Sequence, residues 1–455
     1  MKVTINTPIN SLSVHFFDKK RLKSENTATL KNNGFEAKNA QMVVDNQSLY
    51  VGTIGVKTSD DWRILGTKVT EKLKSMKVKS ANIIVPKNCG AFVEGLVLGD
   101  YSFDKYKSQK KKSTLKTINL VATGIKQTVT EAVARAEAQC SVRDLVNETP
   151  ENCNSITIED DVIKMFKGTD VSVKVYGEKA LKKMGANGIL SVNQASKYPA
   201  KIIRLQYIPS NWKKHNVFVG KFISYDTGGS DLKTDGHMKN MKTDMAGGAI
   251  QIGMMQYVAK YGSSKKVTVY VCIAENMLNE LAYKADDIIT EMNGKTIMII
   301  NSDAEGRMAL ISGLGLAQKE NKDISRLYTT ATLTGHQVMA FGPHTATLVG
   351  FNEKIKKEVV KAGKNAGESF VSAPFNKYML HDVDGDIADV NNLGNTPTQG
   401  CQKAGLFLTK FISKKNNNVF THIDVAGPSR ADSDWGSNVK GATGFGTRTL
   451  IQLVK

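Results

Sequence analysis

The chain has 455 residues, enough for two domains with sizeable cores, and at 41% hydrophobic and 23% charged its composition is that of a globular protein. No apolar run approaches the ~20 residues that a membrane span needs. The formal charge is +19, with about half of the excess in residues 1–150; that leaves a polyanionic partner open, although no aromatic-interleaved RNA motif or helix-turn-helix pattern accompanies the charge.

The first residues, Met1–Asn6, hold no continuous apolar segment of signal-peptide type. Cys89, Cys140, Cys153, Cys272 and Cys401 are scattered, odd in number and without a Cys-x-x-Cys pair. Neither a disulfide framework nor a zinc ribbon is indicated, and a reducing cytoplasm is the expected location. Gln47–Gly52, Ser80–Pro86 and Thr117–Val121 read as strands, and Asp60–Met76 as a helix capped by Ser59 or Asp60. Lys105, Lys107 and Lys110–Lys112 form the densest basic run, either a solvated surface or a nucleic-acid-binding face. Val129, Val133, Ala136, Cys140 and Val142 recur near the helical period and predict a helix over Thr128–Asn147, which Pro150 stops. The domain boundary is placed there, with a smaller α/β domain over 1–150 and a larger one over 151–455.

Helix and strand then alternate. Helices are predicted over Glu159–Phe166 and Glu178–Met184, over most of Gly236–Lys260, and over Arg307–Gln318 and Asn352–Ala362. Strands are predicted at Val171–Val175, Ala200–Tyr207, Asn216–Gly220, Lys266–Ala274 and Thr296–Ile300, and in the run that ends Asp323–Leu333. This alternation argues an α/β sandwich with a central sheet and helices on both faces.

Two clusters carry chemistry. In the first, Val217–Val219 leads into Gly220–Gly229, where Asp226 precedes a Gly pair that lets backbone approach a ligand; Lys233 and Asp244 follow. The second is Asn301-Ser302-Asp303-Ala304-Glu305-Gly306-Arg307, between a strand-like run and an apolar helix-like one, where open α/β sheets place their sites. If strand geometry persists through this heptad, the period of two puts Asp303, Glu305 and Arg307 on one face. Such acids are costly to bury without a partner. A solvated salt bridge would satisfy them; so would divalent cations, and the acids of both clusters together suit two hard or borderline ones. The seven histidines show no His-Glu-x-x-His spacing, so no general base is evident.

On these residues the chain resembles the M17 leucyl aminopeptidase family of cytosolic metallo-aminopeptidases. The family's N-T-D-A-E-G-R appears as Asn301–Arg307 with Ser302 for Thr. Its G-K-G-x-x-F-D-S-G-G appears as Gly220–Gly229 with Phe222, Tyr225 and Thr227 as departures. The resemblance runs from about Leu96 to the C-terminus. It implies a smaller N-terminal α/β domain for oligomerisation or regulation and a catalytic α/β sandwich around a central mixed sheet. It implies removal of N-terminal, leucine-like residues from peptides with two divalent cations (zinc, manganese, magnesium or cobalt), and a homohexamer. By the same resemblance, Asp226 and Glu305 bridge the metals, and Asp303, Lys221 and Asp244 complete the ligand set. Lys221 taken alone reads equally as a salt-bridge partner, because a lysine ligand must be neutral. Lys233 would stabilise the oxyanion, and Arg307 would hold bicarbonate as general base. Met241, Thr332 and Gly335 would line the first side-chain pocket, although Met241 alone also reads as core filler. Asp424, in the matching run Phe420–Gly427, takes a structural role. Met277–Glu280 replaces the family's Met-Pro-Gly-Gly, so a different loop path is expected. A nucleic-acid-binding protein acting through the basic N-terminal domain is the alternative, alone or as a second activity.

Overall fold

A computed structural model describes residues 1–7, 11–24, 27–86, 89–110 and 113–455; Lys111 and Lys112 of the basic run lie outside them. The chain divides into two units, residues 1–140 with 434–438, and residues 141–433 with 439–455.

The first unit holds a six-stranded sheet in the order Lys2–Ile5, Thr117–Val121, Ser80–Ile84, Leu12–Phe17, Ser48–Gly52 and Met42–Asp45, parallel except for its last pair. Val14, Leu49, Leu65, Phe92 and Ile118 fill its core. The predicted helix runs Ser59–Ser75 and is capped by Thr58, not by Ser59 or Asp60. Thr58 and Asp61 close a reciprocal capping box, so the residue before the predicted cap satisfies the free amides.

The second unit is built on an eight-stranded mixed sheet. Its strands in chain order are β1 (Ser172–Tyr176), β2 (Lys201–Tyr207), β3 (His215–Asp226), β4 (Lys266–Asn276), β5 (Arg326–Ala331), β6 (Thr345–Val349), β7 (Ser369–Ser372) and β8 (Phe420–Asp424). They lie in the order β7-β6-β8-β5-β3-β4-β2-β1, with the central four parallel. Four helices matter to the site: α1 (Ala246–Tyr261), α2 (Glu305–Glu320), α3 (Gly335–Phe341) and α4 (Gly400–Thr409). Along β3 the period of two separates the layers. Val217 and Val219 join Met308, Leu310 and Leu314 of α2 in one core, while Phe218 stacks on Tyr328 at 5.1 Å between centroids. The predicted two-domain α/β architecture with a central mixed sheet is the one observed.

Two expectations are corrected. The strand before the heptad spans only Thr296–Met298 and belongs to a separate three-stranded sheet. Strand geometry does not persist either: Asn301–Ala304 form a turn, and α2 begins at Glu305. Local polar groups win over extension here. The Asn301 side chain accepts from Asp303 N at 2.7 Å, and Ser302 Oγ donates to Gly228 O at 2.7 Å. The strand predicted at Asn216–Gly220 is in turn longer, running on to Asp226.

The Ala/Gly start of α1 lets it lie on the sheet. A Cβ on Gly247 would fall 2.2 Å from Thr330 O and 2.8 Å from Ala331 Cα, both backbone. Gly247→Ala is therefore expected to cost ~1–3 kcal/mol of stability by overpacking. Gly177→Ala, where a Cβ meets open space, should be near neutral. Urea midpoints of the two variants check this; equal midpoints would show that α1 slides freely.

Candidate metal centre

The site forms at the carboxyl ends of β3, β5 and β8, where parallel sheets leave a crevice. β3 carries Lys221 and Asp226, the turn before α1 carries Asp244, and Glu305 opens α2. All four side chains are buried. Carboxylate oxygens of Asp226, Asp244 and Glu305 lie within 4.8 Å of one another. The Lys221 ammonium sits among them, 2.7 Å from Asp244 Oδ1 and 2.6 Å from Glu305 Oε1, and donates to Thr332 O at 2.9 Å. Gly306 makes room for it, since a Cβ there would meet the end of the Lys221 stem at 2.6 Å. Lys233 Nζ lies 2.9 Å from Asp226 Oδ2 and also pairs with Asp303.

Burial by itself lowers the pKa of both lysines, but the surrounding carboxylates outweigh it and hold both ammonium groups above the usual range. Burial, with Asp226 and Glu305 nearby, pushes the Asp303 carboxyl up to about 7 and raises that of Asp244 well above the ordinary value. Four carboxylates thus face two ammonium groups, and the buried Asp244 Oδ2 has no hydrogen-bond partner among the described residues. A donor set of hard oxygens that lacks the positive charge to ionise fully, with an orphaned acceptor, fits divalent cations.

A cavity of about 530 Å³ joins these groups. Lys221, Asp226, Lys233, Asp244, Asp303 and Glu305 line it together with Met241, Thr332 and Gly335. Arg307 does not; it lines an adjoining cavity that shares Asp303 with the first. There Arg307 Nη1 donates to Asn392 O at 2.6 Å, and burial lowers the guanidinium pKa to about 10.

Several supporting residues escape a reading of the sequence. Asn276 Nδ2 donates to Asp226 Oδ1 at 2.8 Å and fixes the carboxylate's orientation. Asp231 accepts from Ser302 N at 2.7 Å, and Asn392 Oδ1 from Ile300 N at 2.8 Å, so both pin the heptad's turn. Asp424, by contrast, is expected from the sequence to be structural; it accepts from Leu333 N at 3.1 Å and Thr334 Oγ1 at 2.8 Å, holding the loop that carries Thr332 and Gly335. The position of Asn276, at the end of β4 in register with Asp226, is the one signal that could have found it.

Under the site, the Nδ1 of buried His422 bonds Thr329 Oγ1 at 2.9 Å, while its Nε2 has no partner among the described residues. Burial pushes its pKa down to about 3, so the fold holds it neutral while the unfolded chain takes up a proton near the ordinary 6.5. Its contribution is complete above pH ~6.5 and fades as pH falls toward 3, at up to ~1.4 kcal/mol per unit. His422→Gln is expected to flatten the loss of stability between pH 7 and 5 in urea titrations. An unchanged slope would acquit this ring.

The catalytic-domain profile of the cytosol aminopeptidase family matches residues 140–451, and the family's N-terminal-domain profile matches residues 51–110. A probable cytosol aminopeptidase of Campylobacter jejuni is 35% identical, covering 97% of this chain and 95% of its own. One from Helicobacter hepaticus is 32% identical over 95% and 93%. Among solved structures, the bottromycin maturation enzyme BotP in complex with Mn superposes with a TM-score of 0.88 at 26% identity, covering 100% of this chain and 98% of that one. The chain belongs to the cytosol aminopeptidase family and is a metal-dependent aminopeptidase.

Proposed function

We propose that the protein removes N-terminal residues, leucine-like ones by preference, from peptides, using two divalent cations held by Lys221, Asp226, Asp244, Asp303 and Glu305. The observation that carries this reading is the buried set of carboxylates left short of positive charge around an orphaned Asp244 oxygen. Bound there, the cations supply a polarised scissile carbonyl and a nucleophile at neutral pH. Zinc, manganese, magnesium and cobalt all suit the donors, and BotP was solved with Mn. Asp226, Asp244, Asp303 and Glu305 would hold the cations through their carboxylates, and Lys221 would have to shed its proton to serve as a ligand.

The chain's own residues do the rest. Asp244 receives the substrate's free α-amino group, which selects chain ends over internal bonds. Lys233 keeps its ammonium and donates to the carbonyl oxygen as negative charge gathers on it. Met241, Thr332 and Gly335 border the space for the first side chain. Arg307, with Nε unpartnered and the residue only 5% exposed, is suited to hold bicarbonate, which would supply the general base. Residues 1–150 would serve oligomerisation or regulation of a cytoplasmic homohexamer acting on peptides.

The test is hydrolysis of a panel of aminoacyl amides by cation-stripped protein with single cations restored. Stripped protein is expected to be inactive, and restored protein to favour leucine-like amides. Undiminished activity without cations would overturn the reading.

A further inference from the structure

The cavity that holds Arg307 has a second cationic wall that bicarbonate does not explain. It measures about 220 Å³ and shares Asn301, Asp303 and Leu333–Gly335 with the reaction cavity. On one side stands Arg307, with no ion pair among the described residues and Nε without a partner. On the other stands Lys403 of α4, only 2% exposed. Its ammonium donates to the Thr396 carbonyl and, at 3.3 Å, to Thr396 Oγ1, and its nearest carboxylate, Asp382, is 3.6 Å away. Gly400, the first residue of the ten-residue α4, completes the wall. That helix starts from Gln399 at φ 58, its first amides have no capping side chain among the described residues, and the positive end of its dipole meets the cavity at Gly400. Asp382 answers the Lys403 charge at 3.6 Å and Asp303 pairs with Lys233, so it is buried Arg307 and the uncapped helix start that leave this small space short of an anion, beside the Lys403 ammonium.

The roles proposed above say where that anion comes from. Asp244, Met241 and Thr332, assigned to the α-amino group and the first side chain, line the reaction cavity alone, and Gly335 lies on the rim that the two cavities share. The released part of the substrate therefore points past Asp303, across the shared rim. In a dipeptide its α-carboxylate lies just two bonds from the scissile nitrogen.

We infer that this second cavity is a subsite for the free α-carboxylate of the released residue, held by Lys403 and the start of α4, and that the protein prefers dipeptides to longer chains. The inference rests on the aminopeptidase reading. Bicarbonate at Arg307 shares the chemistry, and the cavity has room for both anions; bicarbonate alone, however, is indifferent to how the substrate ends.

The experiment compares Leu-Ala with Leu-Ala amide on the cation-loaded protein. Wild type is expected to favour the acid at least ~10-fold in kcat/KM, and Lys403→Met to bring the ratio near one, on the scale of one charge-assisted hydrogen bond. Should that variant fail to fold, Lys403→Gln keeps a donor for Thr396 and takes its place. Calorimetric binding of the uncleavable reduced-amide analogue of Leu-Ala, as acid and as amide, should show the same preference without turnover. Equal ratios in wild type, or a preference that survives loss of the Lys403 charge, would overturn the subsite. Acid-selective binding with no hydrolysis of any substrate would instead sink the aminopeptidase reading and leave the subsite standing.

Discussion

Asp303→Ala is expected to lower kcat/KM on leucine amide by ~10³ or more, the scale of a lost electrostatic contributor at a reacting centre. Structure alone would not cause so large a loss. The Asp303 side chain is 34% exposed, and its partner Lys233 keeps Asp226 at 2.9 Å when Asp303 is gone. Its carboxyl is held up at about 7 because burial and two neighbouring acids disfavour its charge, so the empty protein gains little from it. Bound cations per chain should fall by one, while melting of the cation-free protein stays level or rises. Asp303→Asn, which keeps the shape and removes the charge, should lose activity nearly as far. Retained activity in either variant would break the assignment; a collapse in melting temperature would make Asp303 a structural residue.

Which residues gather around this cavity was legible in the sequence where neighbours in the chain are neighbours in space. Asp303, Glu305 and Arg307 sit within one short segment, and Lys221 with Asp226 on one strand, so their types and spacing suffice to group them. The heptad's conformation was not legible, because tertiary hydrogen bonds decide it. Ser302 reads as a mild exchange for Thr until its hydroxyl is seen bonding Gly228 O and Asp231 Oδ2. Asn392 and Tyr283 likewise hold the segment from remote parts of the chain, Tyr283 OH donating to Ser302 O at 2.6 Å. The short helix α3 hid behind its opening Gly335, a poor helix former, although Thr334 caps it by accepting from Gln337 N at 3.2 Å. Lys403 was invisible for the same reason as Asn392, since nothing in its local pattern points to Arg307. Hydrophobic periodicity located β3, β4 and β5 because they are buried on both faces and read as continuous apolar runs, but it missed β6 and β7, the latter a four-residue edge strand. It overran at Ile299–Ile300, where an equally apolar run leaves the sheet and enters the turn.

Lys233→Met should be the other severe lesion, with kcat down ~10²–10³ and KM moving much less. The lysine is placed by a tight loop in which its own N–H donates to Thr227 O at 2.9 Å, so its ammonium reaches the cavity from a backbone fixed at both ends. Asp226, Glu305 and Asp303 keep it protonated despite burial. A charge that stays put while the substrate's carbonyl oxygen turns anionic stabilises the transition state more than the ground state, hence the loss in kcat rather than in KM. Cation stoichiometry separates this lesion from that of Asp303. Lys233→Met removes a competing positive charge and should leave both cations bound, more tightly if anything. If the variant instead loses a cation along with its activity, Lys233 is a counter-charge that holds Asp226 and Asp303 in place, and oxyanion stabilisation has to be sought elsewhere in the cavity.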